Sequence, residues 1–119
     1  MINVSNNGIV QLIRGDYAEL HIFLNAGSNL YPQEYPITDG TVFYFGICEP
    51  HQPFENAIVR KRYTKENVDE EGYLKVVLES SDTEFLHEGK YYYSLKAVNE
   101  DNNVERVNTI IAKTLFYII

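Results

Sequence analysis

The sequence predicts an all-β fold, and three observations carry that prediction. Tyrosine and phenylalanine are abundant, at 10 and 6 residues, and together with the many valines and isoleucines they suit the pleated, half-buried surface of a strand. No long segment repeats apolar residues at i, i+3, i+4 and i+7, the spacing an amphipathic helix needs. Turn-forming residues interrupt the chain at intervals typical of short antiparallel strands, which points to two packed sheets or a barrel. At 119 residues the chain has room for one β-sandwich domain, residues 1–119, with a core large enough to fold without disulfides.

Each element follows from local pattern. "IVQLI" is a short first strand, and "YAELHIFL" is a second, with Ala18, Leu20, Ile22 and Leu24 on one face and Glu19 and His21 on the other. "NAGSNLYPQEYPITDG" is a loop punctuated by Gly27, Pro32, Pro36 and Gly40. "TVFYFGIC" brings Phe43, Phe45 and Ile47 together before "EPHQPFEN" ends the strand through Pro50 and Pro53. "AIVRKRYT" is a further strand. "NVDEEGYLKVVLES" turns at Gly72 into a strand with Leu74, Val76 and Leu78 on one face. "SDTEFL" forms a single helical turn, capped by Ser81 or Asp82. "HEGKYYYSLKAV" places Tyr91, Tyr93, Leu95 and Ala97 at period two, "NEDNN" is a polar hairpin turn, and "VERVNTIIAKTLFYII" closes as one long or two broken strands. About seven or eight strands result.

The three consecutive tyrosines refine the fold class. In immunoglobulin-like sandwiches a tyrosine sits near the start of one strand, two residues before an inward core position, and its hydroxyl returns to upstream backbone. The spacing of His87, Gly89, Tyr91 and Tyr93 matches. The predicted fold is therefore an immunoglobulin-like antiparallel β-sandwich, with Gly89, Tyr91 and Tyr93 fold-determining. Tyr92 points to the opposite face and is the member of the cluster open to a partner.

Composition narrows the function. The formal charge of −7, from 17 acidic against 10 basic residues, repels phosphate backbones, so nucleic acid is not expected as a partner. The basic stretch "RKRY", residues 60–63, alternates across the two faces of a strand and spreads into a solvated surface. With no charged leader and no apolar run near the roughly 20 residues that span a bilayer, the chain is expected to be soluble, without membrane insertion. Cys48 is the single cysteine. No internal disulfide can form, and its expected role is that of a small buried hydrophobe. His21, His51 and His87 lack metal-ligand spacing, and neither "DEEG" nor "NEDNN" follows a calcium-loop pattern. No G-x-S-x-G elbow or glycine-rich phosphate cradle is present. The expectation is a non-enzymatic chain with no catalytic residue, no cofactor and no metal. "RGD" at residues 14–16 is read as a tight connection between strands, and "NVS" at residues 3–5 carries no glycosylation reading without a secretory leader.

Taken together, "RGDYAELHIFL", "ITDGTVFYFGI", "DEEGYLKVVLESSDTEFLHEGKYYYSLKAV" and "NTIIAKTLFYI" resemble tail and baseplate proteins of bacteriophages and prophages. The resemblance is to the immunoglobulin-like sandwich at the N-terminus of upper baseplate proteins, where Gly-Asp opens a strand and Asp-Thr, Leu, Gly, Tyr and Tyr precede another. The matching residues are Gly15, Asp16, Asp82, Thr83, Leu86, Gly89, Tyr91 and Tyr93. The resemblance implies a component of a virion or tail-like particle, made in the bacterial cytoplasm, that contacts other tail or baseplate proteins or copies of itself as a homo-oligomer. Members of that family usually continue into further domains that bind the receptor-binding protein, domains this chain is expected to lack, and only fold positions carry over.

Two surfaces suit a binding role. The apolar C-terminal "TLFYII" is either an edge strand that pairs with another chain or an ordinary core strand. Alternatively, Tyr31, Tyr35 and Phe54, with Tyr44, lie near loop acids and amides and suit a small carbohydrate- or surface-binding module, since sugar recognition combines aromatic faces with fixed polar groups.

Overall fold

Alternating apolar side chains close two sheets over a shared core. The structure, a computed structural model, describes residues 2–5, 8–24, 37–101 and 104–119. Among them run eight strands: β1 (Ile2–Val4), β2 (Val10–Leu12), β3 (Ala18–Phe23), β4 (Thr41–Cys48), β5 (Val59–Thr64), β6 (Tyr73–Leu78), β7 (Gly89–Asp101) and β8 (Val104–Ile118). The larger sheet has the order β1-β2-β8-β7-β4-β5, and β3 pairs with β6 in the smaller one. Phe43, Phe45 and Ile47 of β4 and Leu95 and Ala97 of β7 face Leu20 of β3 and Leu74, Val76 and Leu78 of β6, all buried. Full burial of each large apolar side chain contributes roughly 1.5–3 kcal/mol. The fold is all-β and sandwich-like, with β4, β7 and β8 set across from β3 and β6.

The tyrosine corner is formed. The Tyr91 hydroxyl donates to the His87 carbonyl at 2.9 Å, across Gly89, whose φ of +149° is rarely adopted by residues with a side chain. Tyr93 packs against Phe45 and Phe116, with ring centroids 5.9 Å away in each case. Its hydroxyl donates to the Gly8 carbonyl, so the buried polar end is paired. Burial raises the pKa of Tyr93.

The "RGD" tripeptide is the turn that carries the chain from one sheet to the other. Asp16 N–H donates to the Ile13 carbonyl, Gly15 adopts φ +80°, and Gly15 N–H donates to Thr83 Oγ1 at 2.9 Å. The helical turn α1 (Ser80–Thr83) thus buttresses the crossover. It begins one residue earlier than expected, and neither Ser81 nor Asp82 is its N-cap. Glu79 holds that position, and Asp82, in the third helical place, accepts from Glu79 N–H at 2.8 Å. Asp82 also pairs with Lys61 at 2.7 Å. Beside that pair the Tyr63 hydroxyl accepts from Val77 N–H, so β5 and β6 are tied where the two sheets meet.

Two features depart from expectation, and a third decides between two open readings. β1 is an additional strand, too short for its three residues to show alternation. β2 runs parallel to β8, while the remaining pairs among the described strands are antiparallel. Of the two readings of "TLFYII", the core strand holds. β8 is one continuous strand whose C-terminal part lies between β7 and β2, with Phe116 and Ile118 buried. The parallel strand β2 covers the side that an edge strand would leave open.

Candidate functional site

Residues that alternate with the core positions of β4, β5, β7 and β8 project from the outer face of the larger sheet, and strand register arranges them in rows. One row is Arg62, Tyr44, Lys96 and Thr109. A second is Arg60, Gly46 and Ser94. A third is Cys48, Tyr92 and Leu115. A fourth is Thr64, Val42, Val98 and Val107. Directly opposite side chains on one face lie ~4.5–5.5 Å apart at Cβ.

Gly46 leaves a hollow in the second row, and the loop of residues 49–57 folds back into it. A Cβ at Gly46 would come within 3.0 Å of both the Ala57 Cβ and the Phe54 ring, so the close approach requires glycine. Phe54 opens a 3-10 turn (Phe54–Asn56) and lies half-buried against the sheet. The Lys96 ammonium sits 4.6 Å from the Phe54 ring centroid. Arg60 Nε donates to the Ala57 carbonyl at 3.0 Å, and Lys113 Nζ donates to the Pro50 carbonyl at 3.0 Å while standing 4.8 Å from the Tyr92 ring centroid. Such contacts between an ammonium and an aromatic face contribute about 0.5–1 kcal/mol when exposed. Cys48 is buried beneath the loop, and desolvation pushes its thiol pKa up, which suppresses the reactive thiolate.

Phe54 divides the face into two grooves. One, of about 310 Å³, is lined by Phe54, Tyr92, Lys96 and Lys113. The other, of about 370 Å³, is lined by Tyr44, Phe54, Glu55, Arg60 and Arg62. Arg60, Arg62, Lys90, Lys96 and Lys113 gather on this face, half of the chain's 10 basic residues. Among the described residues no carboxylate forms an ion pair with any of the five. "RKRY" does alternate, since Lys61 turns away to Asp82, but Arg60 and Arg62 do not dilute. They join lysines from two other strands, a grouping invisible without the pairing register.

The expected site residues are therefore only partly brought together. Phe54 and Tyr92 line one groove, and Tyr44 joins Phe54 at the other. Tyr31 and Tyr35 lie outside the described residues, as does the tip of the "NEDNN" turn at residues 102–103. Gly89, Tyr91 and Tyr93 build the corner and the core. Among the described residues no group of three His, Cys, Asp or Glu side chains is placed to hold a metal ion, and no helix is long and apolar enough to cross a membrane.

The fourth row ends at an open edge. β2 covers β8 from Val10↔Phe116 to Leu12↔Ile118, and among the described residues no strand lies beyond β8 over residues 104–109. Val107 is 58 % exposed there. A strand edge of this kind presents backbone donors and acceptors to an incoming extended segment. No family model, no curated protein and no solved structure matches this chain.

Proposed function

We propose that this chain is a non-enzymatic assembly module of a phage or prophage tail or baseplate particle, made in the bacterial cytoplasm and built in through protein–protein contacts with other tail proteins or with copies of itself. The observation that carries the reading is the stretch of β8 at residues 104–109, beyond which no described strand pairs and which includes the exposed Val107. An extended segment of a neighbouring subunit adds to such an edge through main-chain hydrogen bonds. The adjoining cationic face supports it by orienting an acidic partner during encounter. The resemblance of Gly15, Asp16, Asp82, Thr83 and the tyrosine corner to the baseplate sandwich supports a partner from a tail-like particle.

The test is incorporation. Tagged chain expressed in cells that produce the particles is expected to co-migrate with them through a density gradient at fixed stoichiometry. A chain carrying Val107→Lys and Thr109→Lys is expected to stay in the low-mass fraction. Wild-type chain found only in the low-mass fraction overturns the proposal.

One observation favours a second reading, a small carbohydrate- or surface-binding module: Phe54 and Tyr92 flank the same groove beside Lys96 and Lys113. On that reading, Phe54→Ala or Tyr92→Ala weakens binding to a glycan surface by about 10-fold or more, the effect of losing one aromatic contact. Absence of glycan binding by the wild type removes it.

A further inference from the structure

We infer that the partner completing β8 is a second copy of this chain, paired antiparallel with the first about Val107. The inference rests on the strand-addition reading above and names the occupant of that edge.

The edge has the length and regularity that pairing needs. From Asp101↔Val104 to Lys96↔Thr109 the β7–β8 register is unbroken. Beyond Thr109 the partners step to Leu95↔Ile111 and then Tyr93↔Thr114, each step adding an extra residue to β8. Bulges of this kind bend an edge away from new partners. The six regular residues match an ordinary strand in length.

Symmetry then selects the register. A two-fold axis perpendicular to the sheet keeps each side chain on its own face, so one residue must stand opposite its own copy. Centring on Glu105 opposes two carboxylates and centring on Arg106 opposes two guanidiniums, and like charges directly opposite are destabilising. Centring on Asn108 runs Arg106 against the bulged Ile110. Centring on Val107 sets valine against valine, Arg106 against the neutral Asn108, and Glu105 against Thr109.

That register also extends what the sheet already has. Val42, Val98 and Val107 lie side by side on the outer face, so the valine row of one copy continues into that of the other. Pairing removes the exposed Val107 from water, and branched side chains opposite one another favour the contact. The product is a closed, isologous dimer.

The experiment is light scattering on the full chain over a concentration series, run beside Val107→Lys and beside Val107→Cys in a Cys48→Ala background. Wild type is expected to rise from 13.8 kDa towards twice that mass. Val107→Lys sets two ammoniums opposite each other and is expected to raise the dimer dissociation constant by about 100-fold or more, because juxtaposed like charges cost several kcal/mol. Its circular dichroism and Tm in dilute solution check that it folds. A short bis-maleimide is expected to join two Val107→Cys chains and to leave Thr64→Cys chains, altered at the far end of the same row, unjoined. A monomer at every concentration overturns the inference, as does a dimer that survives Val107→Lys or fails to cross-link through position 107. If wild type is monomeric yet enters particles while Val107→Lys does not, the self-pairing fails and the strand-addition reading stands. If Val107→Lys dimerises and incorporates like wild type, both fail.

Discussion

The two ends of β8 belong to one strand and live in different environments. At its C-terminal end Phe116 and Ile118 are buried between β7 and β2, and Tyr93 packs on Phe116. At its N-terminal end the strand keeps β7 on one side, and among the described residues no strand pairs with the other. The side-chain alternation is the same at both ends. What differs is the number of neighbours, so the strand's stability and its availability to a partner are set by topology rather than by local sequence.

The largest effect that can break this comparison comes from the buried end. Phe116→Ala is expected to destabilise the fold by about 3–5 kcal/mol, the usual consequence of emptying an aromatic core site. In a chain of this size that lowers Tm by about 12 °C or more. A loss no larger than that of an exposed position would mean the C-terminal part of β8 is not held between two strands.

An intermediate effect probes the loop beside these rows. Gly46→Val drives a side chain into Phe54 and Ala57 and is expected to cost about 1–3 kcal/mol through overpacking. As the loop lifts, Cys48 should begin to react with a thiol reagent near neutral pH. In the wild type, burial keeps its pKa raised, and alkylation is expected to stay slow until the chain unfolds. Unchanged thiol reactivity in the variant would show that the hollow at Gly46 does not seat the loop.

A smaller effect belongs to the corner that launches β7. Tyr91→Phe removes the donor to the His87 carbonyl and is expected to cost about 1 kcal/mol, measured by urea unfolding with an unchanged slope. At the open end the expectation is smallest. In dilute solution Val107→Lys should shift stability by no more than about 0.5 kcal/mol. A large loss there would mean that Val107 is already part of the packed structure of one chain.

The core was legible because burial imposes period two on Phe43, Phe45 and Ile47 and on Leu74, Val76 and Leu78. The corner was legible because its geometry needs a particular spacing between Gly89, Tyr91 and Tyr93. What stayed open follows from the same physics. "TLFYII" is the most apolar part of the last strand, and apolarity alone does not tell a sticky edge from a core strand. It is apolar because two strands and a core enclose it, whereas the open edge, which sequence did not single out, carries Glu105 and Arg106, charges that discourage indiscriminate pairing. The cationic face was hidden for another reason. Arg62, Tyr44 and Lys96 are far apart in sequence and become neighbours only through the pairing of β5 with β4 and β4 with β7.

The parallel pairing of β2 with β8 also determines how the fold carries mechanical load. A pull entering β2 at its N-terminal end and β8 at its C-terminal end acts along both strands in opposite senses. It therefore shears the whole ladder at once. That ladder is lengthened by Ile119 N–H donating to the Leu12 carbonyl and Arg14 N–H donating to the Ile119 carbonyl, so its hydrogen bonds share the tension. The antiparallel β1–β2 hairpin, drawn from the N-terminal end of β1, peels one bond at a time. Under tension β1 is therefore the part that yields first, and the β2–β8 seam is the clasp that holds β2 to the larger sheet.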